Sequence, residues 1–149
     1  VTNSLKWVSG IVNGHGLAPA REPLTADDIM LTREVYGDFP REYHVKVPQG
    51  QTIKLRMVHG GWYYTYKFSI DDHAHVVIAQ SGSDLEPVAA VETLMVAADR
   101  FDVLVTADQP CGNYTMLWET HVADAAGGGT GPEGGYLYSA KGNFYIPNI

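Results

Sequence analysis

Six histidines, one cysteine and several adjacent carboxylates are the groups in this 149-residue chain that could carry chemistry. His73-Ala74-His75 has the spacing that matters most, because residues i and i+2 of an extended strand share a face and both imidazoles then point one way. Two imidazoles make only a weak metal site, and spacing assigns no third ligand. The reading is therefore a hydrogen-bonded His73 in a turn and His75 inside a strand, with adventitious or interface metal at His73 and His75 as the outside alternative. His15 in a glycine turn, His44 at a polar strand position and His59 beside two glycines read as solvated or structural. His121, two residues after Glu119, reads as a partner for that carboxylate. Cys111 cannot close an internal disulfide, so it is free or pairs outside the chain. The carboxylate pairs Asp27-Asp28 and Asp71-Asp72 lie in turn-like sequence, where short acids cap backbone N–H groups rather than act as acid and base. Arg100 and Asp102 share a strand face and read as an ion pair or a cap. No Ser-His-Asp arrangement follows from spacing.

Strands must position these groups. Tyr64, Tyr66, Phe68 and Ile70 alternate with Thr65, Lys67, Ser69 and Asp71, the period-2 pattern of a half-buried strand. After the Asp71-Asp72 turn, His75–Ala79 is a near-continuous apolar run, so residues 55–82 read as a central hairpin. A second hairpin is read before it: Tyr43, Val45 and Val47 alternate, Pro48-Gln49-Gly50-Gln51 turns the chain, and Ile53, Leu55 and Met57 alternate again. Trp7–Val12 is a short strand ending in Asn13-Gly14, a turn that needs glycine's freedom. Leu17–Pro40 reads as a connecting loop with at most a short strand at Ile29–Leu31. Pro87–Thr93, Arg100–Thr106, Tyr114–Glu119 and Tyr136–Ala140 complete the strands, and residues 126–135 form a Gly-rich surface loop. Eight or nine short strands about ten residues apart, with almost no helical periodicity, predict an all-β sandwich or barrel.

Composition narrows the partners. The net charge is −7, from 17 acids against 10 bases. That argues against nucleic acid or an anionic membrane surface, both of which need clustered Lys and Arg. No run of 18 apolar residues is present, so no membrane span is expected. The length is one domain's worth, residues 1–149, enough to bury roughly 68–70% of the unfolded surface without metal or disulfide staples. The chain opens at Val1 without an initiator Met or a signal-like segment, which predicts a processed protein or a piece of a longer one. Asn113-Tyr114-Thr115 makes Asn113 a candidate glycosylation site.

Six blocks together carry a family likeness. I-V-N-G-H-G at 11–16, I-K-L-R-M-V at 53–58, F-S-I-D-D-H at 68–73, V-I-A-Q-S-G at 77–82, D-R-F-D-V-L-V-T-A-D-Q-P at 99–110 and G-N-Y at 112–114 resemble blocks of multicopper oxidases. In laccases and ascorbate oxidases they occur, in this order, in the second of three cupredoxin domains. The resemblance implies a Greek-key, cupredoxin-like β-sandwich from a secreted, extracellular copper oxidoreductase that oxidises substrates one electron at a time and reduces dioxygen to water. It places copper in neighbouring cupredoxin domains and leaves this domain as a spacer and one wall of the substrate cleft.

The departures sharpen that picture. A blue copper site takes two histidines and a thiolate, and the family supplies the thiolate from P-G-x-W-x-x-H-C-H. Laid on this chain, that pattern puts Gly112 at the glycine, Tyr114 at the Trp and Trp118 at the Cys. Leu117 and Glu119 stand at the flanking histidines, and Cys111 falls seven residues too early. The likeness thus implies no copper and no catalytic residue here. In fungal laccases the segment before F-S-I-D-G-H carries a disulfide cysteine and a substrate-contacting acid; Trp62 and Tyr63 stand in their places. Trp62, Tyr63 and Tyr64 then form either an aromatic wall of the cleft or an interdomain contact, since rings bury large areas. The alternative function is a catalytically silent cupredoxin module, self-assembling or structural, in an extracellular matrix, filament or carrier protein. The aromatic stretches 62–66 and 136–138 motivate it.

Overall fold

The structure, a computed structural model, describes residues 10–17, 42–61, 65–121 and 139–148. Within them the chain forms β1 (Gly10–Val12), β2 (His15–Leu17), β3 (Tyr43–Lys46), β4 (Thr52–Val58), β5 (Thr65–Ile70), β6 (His75–Gln80), β7 (Ser83–Ala90), β8 (Glu92–Met95), β9 (Arg100–Thr106), β10 (Gly112–His121) and β11 (Ser139–Ile146), and no helix. One sheet has the order β3-β11-β10-β5-β8, the other β4-β9-β6-β7, and β1 pairs with β2 alone. The result is an all-β Greek-key sandwich.

Alternation makes the core. On β9, Phe101, Val103 and Val105 are buried while Arg100 and Thr106 are exposed and Asp102 is half-exposed. They meet Phe68, Met116, Phe144 and Ile146 from the facing sheet, all in one apolar cluster with Val47, Met57 and Val77. Burying each large apolar side chain contributes about 1.5–3 kcal/mol, and this is what holds the two layers together.

Both hairpins read from the sequence around these strands are corrected. β3 pairs in parallel with β11, and β4 pairs with β9 in the other sheet. β5 lies between β10 and β8, whereas β6 lies between β9 and β7. The links at 47–51 and 71–74 therefore cross from one sheet to the other. The alternation was real, but it reports which face is buried and not which strand is adjacent. True hairpins form where two successive residues take positive φ: Asn13 (49°) and Gly14 (83°) join β1 to β2, and Ser81 (50°) and Gly82 (88°) join β6 to β7. This is the type I′ pattern, whose twist matches that of the strands.

Two strand boundaries also differ from the reading. The single strand expected at Pro87–Thr93 is two, β7 and β8, separated at Val91. Pro87 suggested a strand start, yet it sits inside β7. There Leu85, Glu86 and Pro87 lie between the paired residues Asp84 and Val88, opposite Ile78 alone, a bulge that tolerates proline. The last strand continues past Ala140 to Ile146, through Gly142. A Cβ there would come within 2.8 Å of Met116 Cε and 2.9 Å of the Tyr43 carbonyl oxygen, so glycine is what lets β11 sit between β3 and β10. The expected loop at 18–40, the Ile29–Leu31 strand, Trp62–Tyr64, the 126–135 loop and the 136–138 aromatics lie outside the described residues.

Candidate functional site

The crossing from β5 to β6 positions the two spaced histidines. Ile70 and His73 form a single bridge, Asp72 takes a left-handed φ of 54°, and the chain then enters β6. The turn is tied to β10: Asp71 N–H donates to Thr115 O at 3.0 Å, and Thr115 N–H donates to Asp71 Oδ2 at 3.2 Å. His73 Nδ1 lies 2.7 Å from Asp71 O, its ring is edge-on to Tyr114 at 4.7 Å, and Phe144 is 5.1 Å away. His75 faces different neighbours. Its Nε2 is 2.6 Å from Thr93 Oγ1, and its ring lies 5.4 Å from Phe68. It is 1% exposed, and burial pushes its pKa down, so the neutral imidazole is held in the core. His73 Nε2 and His75 Nδ1 are buried without a hydrogen-bond partner among the described residues.

Trp118 stands half-buried on β10, its ring 5.0 Å from Phe68. On the next position Glu119 reaches across the strand to Lys67 at 3.3 Å, and Lys67 also meets Glu92 at 2.9 Å. The hydrogen bond to Glu92 raises the Lys67 pKa, burial opposes it, and Glu119 adds to the rise. Glu119 is thus engaged by Lys67, while nothing is described of the His121 side chain. Asp102 and Arg100 do not pair with each other: Asp102 meets Lys54 at 2.9 Å and Arg56 at 3.8 Å, and Arg100 donates to Ser81 O at 3.1 Å. Arg56 stands directly opposite Asp102 on β4 and Lys54 reaches it on the diagonal, so two cations on the neighbouring strand engage the acid.

A cavity of about 410 Å³ opens between the sheets where β4 runs into Gly60-Gly61. Met57, Met95, Met116, Tyr66, Trp118 and His59 line it. His59 Nδ1 accepts the Gly61 N–H at 3.0 Å, and the ring packs on Tyr66 at 4.4 Å. The lining is mixed: the methionines and rings give a polarisable apolar part, and Asn13, Lys54, Arg56 and His59 give a polar, basic part, so the cavity suits a group that is part aromatic or apolar and part polar. Sequence reading missed this feature; its signal was that three of the four methionines occupy inward strand positions around it.

Copper is the group that the family likeness raises, and the described residues do not fit it. Among them no three His, Cys, Asp or Glu side chains converge as ligands. The two spaced imidazoles contact separate neighbours, and Cys111 is exposed in the turn before β10, 3.9 Å from Asn148 Oδ1. Asn113, the sequon residue, is exposed, and its Oδ1 accepts from Asn143 Nδ2 at 3.1 Å.

This two-sheet Greek-key arrangement is a cupredoxin-like sandwich, and solved multicopper oxidases share it. Fet3p, a multicopper oxidase that functions in iron import, superposes with a TM-score of 0.58 at 19% identity over 75% of this chain and 22% of that one. Laccase from Botrytis aclada gives 0.58 at 23% identity over 72% and 19%. The multicopper oxidase family model matches residues 7–135, and the chain belongs to that family. Oxidoreductase OpS5 of Beauveria bassiana is 28% identical over 115 residues, 75% of this chain. Laccase-1 of Botryotinia fuckeliana is 28% identical over 100 residues, 66% of this chain. The chain spans 18% of the length of each of these two relatives.

Proposed function

We propose that this chain is the second-domain type of cupredoxin from a secreted, laccase-like multicopper oxidase, holding no copper itself and serving as spacer and substrate-cleft wall. One observation carries the reading. On β10 the indole of Trp118 packs on Phe68, and the family resemblance sets it where a blue-copper strand would present its thiolate, with Leu117 and Glu119 where the histidines would be. Electron transfer then belongs to copper in neighbouring domains, and this sandwich supplies rigid spacing. The cavity supports the cleft-wall role, because Gly61, the residue just before the Trp62-Tyr63-Tyr64 run, lines it. Secretion is part of the same proposal and rests on the laccase-like character of the sequence.

The test is metal content in two contexts. The 149-residue chain titrated with Cu(II) should show no intense blue absorption and retain no stoichiometric copper after desalting. The longer polypeptide that contains it should bind copper and consume dioxygen with a diphenol. A stoichiometric copper ion held between these two sheets overturns the reading. So does an encoding gene that lacks copper-ligand motifs on both sides of these residues.

A further inference from the structure

The two sheets end in strands joined at one residue, β7 exposed on both faces and β8 on its outer face alone. β7 is the edge of one sheet and β8 the edge of the other, and Val91 alone connects them. Every residue from Ser83 to Ala89 is exposed, on both faces of β7. Leu85 (41%), Val88 (56%), Val91 (68%), Leu94 (50%) and Val96 (53%) leave large apolar side chains in water along this one side. Scattered apolar residues are ordinary on a surface, but a row along two joined edges marks a contact face.

Two further observations say what fits there. The face is acidic: Asp84 and Glu86 are exposed among the apolar residues, no Lys or Arg occurs between Lys67 and Arg100, and Glu92 on β8 is already met by Lys67. The Pro87 bulge also breaks the row of backbone groups that an added strand would need. Along β7, contact must therefore be made by side chains, with an apolar centre and a basic rim on the partner. A second copy would bring acid against acid.

We propose that the β7–β8 side is the docking face for a neighbouring domain of the same, longer polypeptide, whose contacting surface is apolar at its centre and rimmed by Lys or Arg. The inference rests on the reading of this chain as one domain of a larger oxidase, and it names the face by which that domain is held.

Hydrogen exchange tests it. Amides of residues 83–96 should exchange at least about tenfold more slowly in the longer polypeptide than in the 149-residue chain, with β9 as the internal reference. The pair Val88→Asp and Val91→Asp should restore fast exchange in the longer polypeptide. The same pair should leave the melting temperature of the 149-residue chain within about 3 °C, because both side chains are exposed there. Equal exchange in the two contexts overturns the docking face. Concentration-dependent dimerisation of the 149-residue chain that Val88→Asp abolishes also overturns it, by making a second copy the occupant. A gene with no further domain removes the partner and the proposed function together, whereas unprotected amides within an intact multidomain oxidase sink this inference alone.

Discussion

The two ends of β6 make turns of similar appearance and opposite consequence. At its start, Asp71-Asp72 carries the chain out of one sheet and into the other; at its finish, Ser81-Gly82 folds it back along the same sheet. Each turn contains a non-glycine residue with positive φ, Asp72 at 54° and Ser81 at 50°. What differs is how many successive residues take it. Gly82 continues at 88° and completes a two-residue hairpin, whereas after Asp72 the chain bridges once to Ile70 and departs. The surroundings then diverge. The crossing packs His73 and His75 into the core, and the hairpin leads into the exposed β7. A crossing is held by what it buries, a hairpin by its backbone.

The largest effect expected from this contrast is on packing. Phe144, fully buried and 5.1 Å from the His73 ring, should cost about 3–5 kcal/mol of stability when changed to Ala. Val88, paired on the hairpin arm but 56% exposed, should cost about 0.5 kcal/mol or less in the same substitution. Urea unfolding of the two variants measures both. Equal losses would mean that the hairpin arm is as tightly packed as the crossing.

Acid should find the same weak point. His75 is kept neutral by burial, so its folded pKa lies below the unfolded value of about 6.5. The unfolded chain then binds more protons as the pH drops. Stability is fully present above about pH 6.5 and is lost as the pH falls toward the lowered folded pKa, by at most about 1.4 kcal/mol per pH unit from this one group. The urea midpoint followed from pH 7.5 to pH 5 should fall less steeply in His75→Gln. An unchanged slope would mean that His75 contributes none of the acid sensitivity.

The sequence disclosed inward and outward faces well and neighbours poorly, for a physical reason. Ile53, Leu55 and Met57 on β4 and Phe101, Val103 and Val105 on β9 point inward as their alternation predicts. Both sheets bury their inner faces against one core, however, so Tyr43–Lys46 and Thr52–Val58 carry the same signal although they lie in opposite layers. A glycine in second place was not guide enough, since Asn13-Gly14 and Ser81-Gly82 made hairpins whereas Gln49-Gly50, with only its glycine at positive φ, crosses between sheets as Asp71-Asp72 does. At the site, the place of Trp118 followed from aligned blocks, but the methionine-lined cavity did not. It exists only where strands of both sheets and the β1–β2 hairpin converge.

The smallest expected effect tests the backbone half of the contrast directly. A Cβ added at Gly82 would meet nothing within 4 Å, so Gly82→Ala isolates the conformational cost of φ +88° from any clash. That cost should be about 1 kcal/mol, the penalty an L side chain meets in the left-handed region. Asp72→Gly acts the other way on the crossing. It relieves a positive φ but loosens the unfolded chain, and the two terms nearly cancel, leaving a change within about 0.5 kcal/mol. The Asp71 carboxylate and backbone, which tie the turn to Thr115, are untouched by that substitution. Thermal unfolding of both variants beside the parent chain compares them. Were Asp72→Gly to lose more than Gly82→Ala, the crossing would depend on its local backbone after all, and burial would no longer distinguish the two ends of β6.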